Sequence, residues 1–114
     1  MPHVESYSFG SIAIDGTAYT SDLMILPGRV VPGWWRKEGH NLDPQDLQEV
    51  IEAQPTVLVI GTGNLGMMRV PQATLEYLAA RSIRTVVERT AVACQRYNDL
   101  AQTEKVAAAL HLTC

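Results

Sequence analysis

Residues 56–66 constrain the fold of this chain more than any other stretch. Thr56-Val57-Leu58-Val59-Ile60 is an unbroken, largely β-branched apolar run, and Gly61-Thr62-Gly63-Asn64-Leu65-Gly66 follows it directly. A short apolar run without polar alternation fits a strand covered on both faces. The glycines then mark a tight turn, because residues without a Cβ let the chain reverse and let other groups come close to the backbone. A buried strand feeding a sharp strand-to-helix turn is the elementary step of α/β architecture.

The flanking sequence fits that frame. Tyr7-Ser8-Phe9 and Ser11-Ile12-Ala13-Ile14 alternate, with Gly10 and Asp15-Gly16 as punctuation, and read as a meander or hairpin. Asp22–Leu26 is a third strand candidate, stopped by Pro27-Gly28. The second pair, Pro32-Gly33, argues against a central strand at Arg29–Val31. Asp43 and Pro44 suit the N-cap and first position of a helix whose inner face is Leu47, Val50 and Ile51, ended at Gln54-Pro55. Pro71 opens a second helix facing inward with Leu75, Leu78 and Ala79. Arg84–Glu88 is a short strand, and Thr90 can cap a third helix with Ala93, Tyr97, Leu100 and Ala101 inside. The tail over 105–112 has helix propensity in Val106–Leu110, but it lacks a polar face and then alternates, so a strand is expected. The order β-β-β then α-β-α-β-α-β predicts a single three-layer α/β domain over 1–114, with the Val57 and Val86 strands side by side in parallel.

Composition narrows the function. Of 114 residues, 46% are apolar and only 18% charged, which leaves surface free for ligand or partner. The net charge is −3 and the nine basic residues are scattered, so no nucleic-acid footprint exists. No apolar stretch approaches the ~18 residues of a membrane span, and Met1–Gly10 has neither the basic nor the apolar region of a secretory signal. The two cysteines, Cys94 and Cys114, form no metal motif, and a cytoplasmic, reducing location is the expectation.

Gly61–Gly66 matches GxGxxG, and Glu88 lies where a ribose-binding acid would fall in a dinucleotide fold. The helix there, however, starts near Pro71, because Val70 precedes proline and is pushed out of helical space. The amide groups of its first turn then lie away from the glycines, and the chain is too short for two mononucleotide halves. The turn therefore reads either as purely structural or as a site for a smaller anion or polar group, and no cofactor or metal is expected. Trp34-Trp35-Arg36-Lys37-Glu38-Gly39-His40 is the other notable cluster. In an extended segment the two indoles point opposite ways, one to the core and one to a pocket or interface. Its alternative is a Trp lid with a solvated charged run. His40 and His111 have no companion acid or Cys at ligand spacing, and Cys94 falls on the inner face of its helix as an inert thiol. A candidate ligand mouth comprises Trp35, Arg36, His40, Gly61, Thr62, Gly63, Asn64 and Arg69, with Glu88 and Thr90 on the same edge.

Taken together, Tyr7-Ser8-Phe9-Gly10, Ile12–Gly16, Trp34-Trp35-Arg36, Gly39-His40, Val59–Gly63, Thr90, Ala93, Tyr97-Asn98 and Leu110–Thr113 run nearly end to end. In order and spacing the chain resembles a family of small domains of unknown function. That family includes the mitochondrial respiratory complex I assembly factor 3 family and the adipogenesis-associated domain protein. The resemblance implies a mixed five-stranded central sheet whose last strand is antiparallel, with helices on its faces and an extra N-terminal hairpin. It implies no activity or cofactor. Its mitochondrial branch binds other proteins during assembly, so the class of role it implies is accessory protein, not catalyst. The expected function is a non-catalytic binding or assembly module with a protein partner. The alternatives are a small polar or anionic ligand at Gly61–Gly66, or a small enzyme using that pocket through His40, His111 or Cys94.

Overall fold

The computed structural model describes every residue from Met1 to Cys114. The N-terminal segment forms a three-stranded antiparallel sheet of β1 (Val4–Ser8), β2 (Ser11–Ile14) and β3 (Thr17–Tyr19). The central sheet has five strands: β4 (Leu23–Leu26), β5 (Arg29–Pro32), β6 (Val57–Thr62), β7 (Arg84–Glu88) and β8 (Val106–His111), in the order β5-β4-β8-β6-β7. A 3-10 turn, Pro44–Leu47, leads into α1 (Gln48–Ala53), and α2 (Gln72–Ala79) and α3 (Thr90–Leu100) complete the chain.

The apolar run of β6 is wholly buried, and so is β8. Alternate residues feed two cores. Val57 and Val59 join Leu23, Ile25, Val106, Ala108 and Leu110 beneath α3 and the small sheet, whose Ile12 and Ile14 point inward. Leu58 and Ile60 join Met24, Leu26, Ala107 and Ala109 beneath Leu47, Val50 and Leu78 of the opposite helices. A sheet fully covered on both faces needs no polar alternation, which is why these strands read as continuous apolar runs. The first helix begins as predicted. Asp43 caps it, accepting from the Gln45 amide, and the Asp46 side chain reaches back to the Asp43 amide. Gln54 then leaves the helix in the left-handed region, φ 51°.

Several expectations are corrected. The last strand, β8, is parallel to β6 and antiparallel only to β4. β4 is the strand opposed to its neighbours, because it pairs antiparallel with β5 as well. The reason is connectivity: β6, β7 and β8 are linked through helices, which return the chain in the same direction, whereas β4 arrives from the small sheet and turns tightly into β5. The N-terminal extension has a third strand, β3, too short and too exposed to be seen as one. β5 forms as an edge strand, the position where Pro32 costs no ladder bond. The inner face of α2 is Thr74 and Leu78, with Ala79 exposed.

Candidate functional site

The glycine turn lies at the C-terminal end of β6, and residues 113–114 lie across it. Gly63 N–H donates to Thr90 Oγ1 at 2.9 Å, Asn64 N–H to the Thr113 carbonyl at 2.6 Å, and Met67 N–H to the Cys114 carbonyl at 2.9 Å. Gly66 N–H donates to Gly63 and Met68 N–H to Thr62. Leu65 is the one amide from 63 to 68 without such a bond. Five of the six amides from 63 to 68, on which an anion cradle would depend, are thus already paired with the chain itself. The glycines serve this packing. Gly63 has φ +107°, and a Cβ there would stand 2.7 Å from the Cys114 oxygen and 2.8 Å from His111 Cδ2. At Gly61 a Cβ would stand 2.9 Å from both Leu110 Cδ2 and Thr90 Oγ1.

Thr90 is fully buried and is not the predicted helix cap; Arg89 occupies that position. Its hydroxyl accepts from Gly63 and donates to the His111 carbonyl at 2.5 Å, binding α3, β8 and the turn together. Thr62 Oγ1 donates to the Glu88 carbonyl, while the Glu88 carboxylate turns outward to Arg96 at 3.3 Å.

Arg36 belongs to no solvated run. It is 9% exposed, its Cζ sits 4.6 Å from the Trp34 ring centroid, and Nε and Nη2 both donate to the Gly39 carbonyl. Nη2 also donates to Asp22 Oδ2 at 2.9 Å. That same oxygen lies 2.7 Å from His111 Nδ1, and Asp22 Oδ1 accepts from Leu112 N–H at 2.8 Å. A carboxylate oxygen at that distance from a bare nitrogen lone pair would be repelled, so Nδ1 carries the proton. The 3.1 Å approach of Arg36 Nη2 to Nδ1 is then donor against donor, held by the oxygen both share. Burial acts to raise the Asp22 pKa, but hydrogen bonds from His111, Leu112 and Arg36 outweigh it and hold the carboxyl below its ordinary range.

His111, outside the candidate ligand mouth and named only for the enzymatic alternative, is the hub of the site. It joins Arg36, Thr90 and Gly63, and the His40 ring meets it edge-on at 5.6 Å. Asn64 and Arg69 lie at the margin. Arg69 is tied in only through its backbone, to His40 and Leu42, and its side chain is exposed. Trp35 stands apart, 77% exposed, while Trp34 is buried with its indole N–H on the Asp46 carbonyl; the indoles divide as the alternation predicts. Asp22 carried no sequence signal beyond opening a strand. His111 carried one: a histidine inside an otherwise apolar buried strand.

An Asp–His pair with the proton on Nδ1 is the arrangement that orients a general base. Here the free nitrogen, His111 Nε2, is shut off from solvent and has no hydrogen-bond partner, and the same holds for Arg36 Nη1. Cys94 is buried, with its pKa pushed up to about 12 by desolvation. No three His, Cys, Asp or Glu side chains stand together as metal ligands. No helix is long and apolar enough to cross a membrane.

Solved structures share this architecture. The protein MT938 is 30% identical, with all of both chains covered and a TM-score of 0.81. A conserved hypothetical protein from Pyrococcus horikoshii OT3 is 25% identical over 97% of this chain and 98% of its own, with a TM-score of 0.82. A protein from Bartonella henselae described as an outer membrane protein shares the fold at 23% identity and a TM-score of 0.84, over 99% of this chain and 96% of its own. The model of a family described as a protein of unknown function (DUF498/DUF598) matches residues 4–111, from the first strand of the small sheet to the histidine that gathers the site. The chain belongs to that family.

Proposed function

We propose that this chain is a single-domain, non-catalytic binding module whose contact surface is the rim at the C-terminal ends of β6 and β8. One observation carries the reading: Phe9, Trp35, Leu65 and Met67 are 58%, 77%, 61% and 53% exposed; Leu65 and Met67 follow β6, Trp35 follows β5, which ends on the same side of the sheet, and Phe9 lies in the turn that bonds the end of β8. Their loops are hydrogen-bonded to the same short segment or to the residue that holds it. Gly10, next to Phe9, bonds the Leu112 carbonyl; Asn64 and Met67 bond Thr113 and Cys114. Trp34 bonds the Asp22 carbonyl, and Asp22 accepts from Leu112. Single exposed apolar residues are ordinary, but four large ones presented by three loops that leave the sheets toward one end suit a partner surface. In this reading Arg36, Thr62, Gly63, Thr90 and His111 fix the shape of the rim, and Trp35 and Leu65 touch the partner.

The resemblance to the complex I assembly factor 3 family and the adipogenesis-associated domain protein supports the same class of role, protein binding during assembly. A cytoplasmic location fits a free buried thiol at Cys94. The test is retention of a partner from the native cell extract by the immobilised domain. Trp35→Ala and Leu65→Ser are expected to reduce retention about 30-fold, the loss typical of an interface anchor. Glu52→Ala and Gln102→Ala, away from the rim, should leave it unchanged. Equal retention by the rim variants, or none by the parent above bare resin, overturns the proposal.

A further inference from the structure

The sheets of this domain have four edges, and three are guarded. β5 ends in Pro32, which has no N–H to offer. β1 carries a bulge between Val4 and Ser6, and Asn98 occupies both the amide and the carbonyl of Val4. β3 is only three residues long. The fourth, β7, has β6 as its sole neighbour, a regular register from Arg84 to Glu88, no proline and no bulge.

Its backbone directions follow from one bond. Arg84 N–H donates to the Thr56 carbonyl of the segment entering β6, so Arg84, Val86 and Glu88 point their backbone groups inward and Thr85 and Val87 point theirs to the open edge. No other segment bonds those outward groups. Val87 and, in the first turn of α3, Val92 are among the few exposed large apolar residues, at 40% and 43%.

We infer that this edge pairs with the β7 edge of a second copy of the chain, antiparallel about a two-fold axis through Val86. The pattern is self-complementary. With Val86 opposite Val86, Thr85 of each copy faces Val87 of the other, and these are the residues with free outward N–H and C=O groups. They form the hydrogen-bonded pairs of an antiparallel ladder. Arg84 of each copy falls opposite Glu88 of the other, on the sheet face where Val86 packs toward α3. Within one chain Glu88 already meets Arg96 at 3.3 Å and Arg84 meets Glu104 at 3.8 Å, all four partly exposed. Pairing across the axis links these into a chain of alternating charge, Arg96–Glu88–Arg84–Glu104, repeated on the other side. A one-residue slip would bring outward-facing groups against inward-facing ones, and a two-residue slip would separate Arg84 from Glu88 on both sides of the axis, so this register is the one the strand's bonds and charges favour together. The product is a continuous ten-stranded sheet, which leaves the proposed rim free, and the inference stands independently of the rim's role.

Sedimentation velocity of the full chain from micromolar to millimolar concentration tests it. The mass is expected to rise from the 12.5 kDa of one chain to that of two. Val87→Pro removes an outward N–H without touching the bonds to β6, and should weaken the dimer at least about tenfold while far-UV dichroism stays that of the parent. Arg84→Glu sets like charges opposite each other twice and should weaken it about tenfold. Arg84→Glu combined with Glu88→Arg restores the complementarity and should return the parent affinity to within about threefold. A single-chain mass at millimolar concentration overturns the inference. So does a dimer that neither Val87→Pro nor Arg84→Glu weakens, or a double variant no tighter than Arg84→Glu alone.

Discussion

Replacing Thr90 by valine isolates the one hydroxyl that ties three elements together. Threonine and valine have the same shape and branching, so Thr90→Val opens no cavity and alters helix propensity little. It removes the acceptor of the Gly63 amide and the donor to the His111 carbonyl, at 2.9 Å and 2.5 Å, at a position with no solvent contact. A buried backbone group left unpaired costs about 1–3 kcal/mol. Two such groups, less the smaller desolvation cost of a methyl, give a net loss of about 2–4 kcal/mol. That is a large share of the roughly 5–15 kcal/mol typical of a domain. Thr90→Ser keeps both bonds and loses one buried methyl, about 1 kcal/mol. Urea unfolding followed by far-UV dichroism reads the difference, and the valine variant should unfold roughly 1–2 M of urea before the parent. Amide exchange at Gly63 should quicken in the valine variant and not in the serine variant. If Thr90→Val is as stable as Thr90→Ser, the hydroxyl is not the tie described here.

Gly63→Ala places a Cβ against Cys114 and His111 at φ +107°, and is expected to lose about 2–4 kcal/mol and speed exchange at Asn64 and Met67. Gly33→Ala, at φ +69° with open space around it, should lose only about 1 kcal/mol, and equal losses would contradict the packing argument. The carboxyl of Asp22 has a native pKa below its ordinary 3.8, so in acid the unfolded chain takes up its proton first. Its stabilisation is complete above about pH 5 and is lost as pH falls through 3.8 toward the native value; urea midpoints for Asp22→Asn should be lower at pH 7 and lack that acid-dependent increment. With its pKa near 12 and its side chain buried, Cys94 should resist a thiol reagent at pH 8 while exposed Cys114 reacts, one fast thiol per chain; two equally fast thiols would refute the burial.

Much of the architecture was legible because it depends on local pattern. The apolar run of β6, the Asp43-Pro44 helix start, the strand in the tail and the split of Trp34 from Trp35 follow from periodicity and turn chemistry, which act over a few residues. The glycines at 61 and 63 were correctly seen to allow a close approach, but not by what: the approaching group is the chain itself. That depended on contacts no spacing encodes. Asp22 and His111 meet across 89 residues and Arg36 and His111 across 75. The direction of β4 and β8 was decided by which strands the helical crossovers link. Sequence determined the main strands, the start of the first helix and the inward faces of β6 and β8, since those are set by the backbone and its nearest side chains. Only the packed sheet decided which polar groups would be buried together, because burial without a partner is too costly to survive and the partners come from distant elements.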